Sequence, residues 1–111
     1  MGDIQGIFHA RRMTVGDTPT LITDTNLGRN SVIIKNLTNN VVSIGGSNVV
    51  TFDTIPNGGW PLGKNENITV GFAERSFQIS GFHSASVWGV CEAGKQTTIA
   101  ILEETKQQQT L

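Results

Sequence analysis

Apolar and polar residues alternate strictly along several short segments. In "NITVGF", Ile68, Val70 and Phe72 fall on one side, and Asn67, Thr69 and Gly71 on the other. That period of two places one face of a β-strand on a core. "SFQIS" repeats the pattern with Phe77 and Ile79 inward, and Ala73-Glu74-Arg75 predicts a turn joining the two. "SVIIKNLTNNVVSIGG" holds two runs of β-branched residues around Leu37-Thr38-Asn39-Asn40. It predicts a second hairpin, 31-37 with 41-45, because asparagine tolerates the left-handed backbone of a tight turn.

No segment sustains a helical period, and glycine supplies 13 of 111 residues, well above the roughly 7% average. Breakers recur at the spacing of short strands. The pattern predicts strands near 7-15, 20-24, 31-37, 41-45, 49-52, 67-73, 76-80, 85-92 and 97-103. Pro56, Asn57, Gly58, Gly59 and Pro61 make 53-66 a long irregular loop around Trp60. Parallel sheets need crossover helices and none is visible, so the fold class is all-β. The expected architecture is an antiparallel β-sandwich of about eight short strands with Greek-key or jelly-roll connections. It forms a single domain at 9-104. Residues 1-8, with Ile4, Ile7 and Phe8 among glycines, read as an apolar N-terminal arm, and 105-111 as a polar tail.

Three strands break the alternation. Val32, Ile33 and Ile34 are apolar on both faces. In "SVWGVCE", Val87 and Cys91 oppose Trp88 and Val90, and in "TTIAILEE", Ile99 and Ile101 oppose Ala100 and Leu102. A two-sheet sandwich buries one face of each sheet, so the second face needs a cover. That cover is either a loop or arm of the same chain or another subunit. Charge favours the subunit: charged residues make up only 15% of the chain, against roughly 25% in soluble domains.

A formal net charge of -1 argues against nucleic acid, which requires a basic face; Arg11-Arg12 is the sole adjacent basic pair. No apolar run approaches the roughly 18 residues of a membrane span, and nothing resembles a signal peptide. The expectation is a chain that folds in a reducing cytoplasm, with Cys91 as a small buried hydrophobe.

Candidate chemistry is sparse. His9 and His83 are far apart and form no His-x-His pair, and His83, Cys91 and Glu92 match no metal spacing. No Gly-x-Ser-x-Gly elbow occurs, and "GGSNV" lacks a base. Asp53, Glu66 and Glu74 lie in or near expected loops, where solvated acids are the default. "GRN" and "GGS" read as turns, since no helix follows to hold a phosphate. The expectation is therefore no catalytic, cofactor-binding or metal site, and no enzyme. Trp88, within an apolar strand, reads as core, whereas Trp60, between Gly59 and Pro61, is open to a surface role.

"RNSVIIKNLTNNVVSIGGSNVVT", "GWPLGKNENITV", "FQISG" and the closing "TTIAILEE" resemble small structural proteins of tailed bacteriophages. In those chains an Arg-x-Ser-Val-x-Ile-x-Asn strand leads through a polar turn to a hydrophobic-Ile-Gly-Gly-Ser strand. A Pro-Leu-x-x-x-Glu turn and two further strands follow. The matched part covers roughly 29-104, and residues 1-28 and the insertion around Trp60 fall outside it. The resemblance carries no catalytic residues. It implies a virion component assembled in the host cytoplasm, above all a capsid decoration (cement) protein bound to the major capsid protein or other virion proteins. The partners expected are further copies in a homo-oligomer, a trimer by analogy with three-fold capsid positions, with no nucleic acid and no membrane. A tail, neck or fibre component is one alternative. A carbohydrate- or receptor-binding module, with Trp60, Phe82 and Trp88 as stacking platforms, is another. Ile4, Ile7, Phe8, Trp60 and Phe82 are the candidate protein-interface residues.

Overall fold

The computed structural model describes residues 6–25, 29–70 and 85–106. Over these the chain is all β, with no helix. Eight strands are present: β1 (Gly6–Val15), β2 (Thr20–Thr23), β3 (Arg29–Asn36), β4 (Val42–Gly45), β5 (Trp60–Leu62), β6 (Asn67–Val70), β7 (Val87–Cys91) and β8 (Thr97–Lys106). They form two four-stranded sheets, ordered β1-β8-β3-β6 and β2-β7-β4-β5. Every neighbouring pair is antiparallel. The β-sandwich expected from the sequence is therefore the fold observed.

The core lies between the sheets. Val15, Val32, Ile34, Ile99 and Ile101 come from the first, and Ile22, Val42, Ile44, Leu62, Val87 and Cys91 from the second. Each fully buried aliphatic side chain contributes roughly 1.5–3 kcal/mol of transfer free energy. Gly89 is needed because inward side chains from both neighbouring strands lean over it: a Cβ there would stand 2.9 Å from Ile22 Cδ1 on β2 and 3.2 Å from Val42 Cγ2 on β4. The alternation in β6 holds, with Ile68 and Val70 packed on the core and Thr69 exposed.

Several expectations are corrected. The 31-37/41-45 hairpin does not form, because β3 and β4 belong to different sheets. The segment 37–41 is a corner carrying the chain from one layer to the other. Leu37 N still donates to Thr98 O at 2.9 Å, and only then does the chain leave the first sheet. The expected strand at 49-52 is reduced to a single bridge, Val50 to Gly58. Conversely, the expected 53-66 loop contains β5, an edge strand, where Pro61 can forgo a ladder hydrogen bond. Residues 7 and 8, read both into the strand at 7-15 and into the arm at 1-8, belong to the strand: β1 opens at Gly6, with Ile7 opposite Thr105 and Phe8 opposite Glu104. β8 correspondingly runs to Lys106, past the expected start of the tail. The partner strand 76-80, with Phe72, Phe77 and Ile79, lies outside the described residues.

Candidate interaction surfaces

Two β-bulges build a buried polar cluster at one end of the sandwich. The register of β3 on β8 shifts between Arg29 and Ser31, so Arg29 pairs with Thr105 while Ser31 pairs with Glu104. The extra residue turns Arg29 onto the inner face. A second shift, between Leu21 and Thr23, does the same for Thr23 on β2. Both side chains converge on Glu103, which shares the inner-face parity of Ile99 and Ile101.

Arg29 is fully buried. Its Nη1 donates to Glu103 Oε2 (3.1 Å), Thr23 Oγ1 (3.1 Å) and Asp24 O (2.9 Å), and its Nη2 to Ala85 O. Thr23 Oγ1 donates to Glu103 Oε2 at 3.0 Å, and Arg11 reaches Glu103 Oε1 at 3.4 Å. Burial alone would raise the Glu103 carboxyl, but hydrogen bonds from Arg29, Thr23 and Arg11 and the Arg29 charge outweigh it, so its pKa is lowered. The cluster ties β1, β3 and β8 to β2 across the sandwich. Its buried side chains are all partnered and only Arg11 reaches solvent, an arrangement that acts as a clasp between the sheets.

Cys91 is equally enclosed. Its Sγ donates to Val15 O at 3.4 Å. Burial, then the charges of Glu92 and Asp17, push its thiol up, so the nucleophilic thiolate is disfavoured. Among the described residues, no three His, Cys, Asp or Glu side chains come together as a metal site would require.

The two outer faces differ. Over the second sheet, residues 46–59 fold back as a cover. Phe52 N donates to Ser43 Oγ (2.8 Å), Gly59 N to Val50 O (3.0 Å) and Thr54 N to Thr51 O (3.0 Å). Gly59 allows this close approach: a Cβ there would meet Val49 Cγ2 at 2.7 Å and Ile44 O at 3.0 Å. Ser43 and Val90, on the outer side of their strands, are consequently buried. Trp88 is corrected from core to the outer face, half-buried, with Nε1 donating to Ser86 Oγ at 3.3 Å.

The cover and the start of β5 present apolar side chains to solvent. Ile55 is 90% exposed, Trp60 63% and Phe52 41%. Trp60 and Val50 border a hollow of about 540 Å³ whose wall is formed largely by Gly45, Gly46, Asn48, Asn57 and Gly58.

Over the first sheet, no described segment forms such a cover. Three rows cross it: Arg12, Ala100 and Lys35; then Ala10, Leu102 and Ile33; then Phe8, Glu104 and Ser31. Leu102 is 38% exposed and Phe8 65%. A shallow hollow of about 510 Å³ lies over the first two rows.

Of the sequence-derived interface residues, Trp60 heads β5 beside the ordered loop, and Ile7 and Phe8 lie on β1, all exposed. They do not form one patch: Phe8 belongs to the outer face of the first sheet and Ile7 to the opposite parity. Ile4 and Phe82 lie outside the described residues. Sequence reasoning missed Ile55 and Phe52, whose exposure depends on how the loop folds. Ile33 and Leu102, by contrast, were signalled as apolar residues on a second face. Comparisons with protein-family models, with curated proteins and with solved structures give no match.

Proposed function

We propose that the chain is a non-enzymatic virion structural protein, most specifically a capsid decoration protein that binds the head by protein–protein contact. The observation that carries this reading is the exposure of Ile55, on a loop whose backbone is already hydrogen-bonded in place, and of Trp60, which heads β5 beside it. Large apolar side chains held open to water on an ordered frame lose little entropy on docking, which is what a cement needs. Many copies on a symmetric lattice then add avidity to contacts that are individually modest. The phage resemblance supplies the partner class, the major capsid protein or another virion protein, and virion localisation follows from it.

Electron microscopy of particles carrying the labelled chain tests the proposal. Hundreds of copies on the shell agree with decoration; a dozen or fewer at one vertex move the protein to the neck or tail; absence from particles ends the virion reading. One observation favours a second reading, a carbohydrate-binding module: Trp60 borders a hollow walled by glycine and asparagine, an arrangement that suits a sugar stacked on an indole. Binding on a glycan array that Trp60→Ala abolishes would favour it.

A further inference from the structure

The outer face of the first sheet carries a charge pattern that matches its own image. Cations stand at one end, Arg12 and Lys35 flanking Ala100 on neighbouring strands. An anion stands toward the other, Glu104 between Phe8 and Ser31, with Lys106 one row beyond it at the end of β8 and outside the rows that the two copies would pair. Between them lies the apolar row of Ala10, Leu102 and Ile33. Successive rows are two residues apart, roughly 7 Å along the strand.

We propose that this face binds a second copy of the chain through a two-fold axis lying in the interface and crossing the strands at Leu102. The operation reverses the strand direction and keeps lateral position, so each strand faces its own image and the outer rows exchange. Glu104 of one copy then faces Ala100 of the other. Ala100 is small, and the hollow over it leaves room for a carboxylate between the Arg12 and Lys35 cations. Phe8 faces Arg12, a cation–π pairing, and the apolar middle rows close on each other. Two sheets packed face to face hold their strands within about 30° of each other, an angle these long side chains can span.

The match is isologous, so each contact is made twice and the assembly closes at two copies. A ring of three, expected by analogy with capsid three-folds, would not pair this face with itself. The inference is independent of the virion reading, since it concerns how copies meet and not where they sit. About four strands by six residues gives a flat area of roughly 400 Å² per copy, about 800 Å² in all and below the roughly 1,200 Å² at which stable specific interfaces begin, so the dimer is weak and transient.

Sedimentation velocity between about 5 and 200 µM at low salt tests this, where screening is least. The wild-type chain should pass from monomer to dimer. E104K and the double variant R12E/K35E each set like charges against each other, and each should weaken self-association about ten-fold or more. Mixed together, they present complementary charges at both ends and should form a one-to-one heterodimer of near wild-type strength. All three positions point outward, and thermal melts confirm that each variant is folded. A wild-type monomer throughout the range, a trimer, an E104K dimer of undiminished strength, or two folded variants that fail to pair would each overturn the proposal.

Discussion

Arg29 Nη1 lies 3.1 Å from Glu103 Oε2, an ion pair between residues 74 apart in the chain, with the guanidinium wholly buried. Such a pair is held by its geometry: attraction repays desolvation only while every donor and acceptor is matched. Arg29→Ala leaves the Glu103 carboxylate only Thr23 and the more distant Arg11 at 3.4 Å, and should cost up to about 3–5 kcal/mol. Arg29→Met with Glu103→Leu removes both charges together and should cost less than Arg29→Ala or Glu103→Ala alone. Urea denaturation of the three variants measures this, and a double variant that loses as much as the two alanine variants together would show that the charges do not depend on each other.

The same pair sets an acid limb on stability. Glu103 has a folded-state pKa below its ordinary value of 4.5. A depressed carboxylate contributes stability in full above the unfolded pKa and loses it as pH falls through the folded one. The wild-type protein should therefore exceed Glu103→Gln in stability at neutral pH. The gap should begin to narrow below about pH 5 and be smallest in the most acidic solutions in which the fold survives. Melting curves of both proteins from pH 7 downward check it, and a constant gap would assign the difference to shape rather than charge.

Asn36 holds the corner between the sheets. Its Nδ2 donates to Asn40 O and Leu62 O, both at 2.8 Å. Its Oδ1 accepts from Thr97 Oγ1 at 2.6 Å and from Thr38 N at 3.2 Å. Asn36→Ala leaves these partners unsatisfied inside the protein, for about 2–3 kcal/mol. Asn36→Asp keeps the shape but aims a carboxylate at two carbonyls and should cost at least as much. A fully stable Asn36→Asp protein would show that the corner does not depend on the amide donors.

Asn36 also marks where the sequence was readable and where it was not. Parity was readable, but not the side. The pattern sets Ile33 opposite Val32 and Ile34, and Ala100 and Leu102 opposite Ile99 and Ile101, with apolar residues on both faces. The fold buries 32, 34, 99 and 101 while 33, 100 and 102 stay partly open. Parity also places Asn36 and Glu103 on the buried faces of β3 and β8, a polar residue in line with the core. That was the available sign of a corner and of a clasp. Local turn chemistry overrode it, because Thr38-Asn39-Asn40 suits a hairpin as well as a sheet-to-sheet crossing; long-range hydrogen bonds to Leu62 and Thr97 decide between them. Arg29 was beyond reach altogether, since a bulge at residue 30 reverses its facing and no local pattern encodes that. β5 was hidden by Pro61, a residue that an edge strand tolerates and a central one does not.

The two faces of β3 provide a direct test of register. Ile34 is fully buried in the core, whereas Ile33 is half-exposed on the outer face. Ile34→Ala should cost about 2–5 kcal/mol, transfer and cavity terms together. Ile33→Ala in the monomer should cost under about 1 kcal/mol. Equal losses in dilute solution would mean that both faces of this strand are covered within one chain.

Ile55 and Trp60 should separate docking from folding. Neither belongs to the core between the sheets, and the hydrogen bonds that hold the loop run through the backbone and through Ser43. Ile55→Ser and Trp60→Ala should therefore change stability by only about 0.5 kcal/mol each, the range of ordinary surface substitutions. If these side chains are the anchors of a decoration contact, each should weaken binding to head shells by at least 1–2 kcal/mol, roughly ten-fold, as interface aromatics and central apolar groups do. Cosedimentation of the variants with shells stripped of the protein measures binding, and a melt on the same samples measures folding. Gly59→Ala completes the set from the opposite direction, because its Cβ would press on Val49 and Ile44 and displace the loop while leaving both anchors in the chain. It should lose binding together with stability, whereas the two anchor variants lose binding alone. Retained binding in Ile55→Ser and Trp60→Ala would move the docking surface away from this loop.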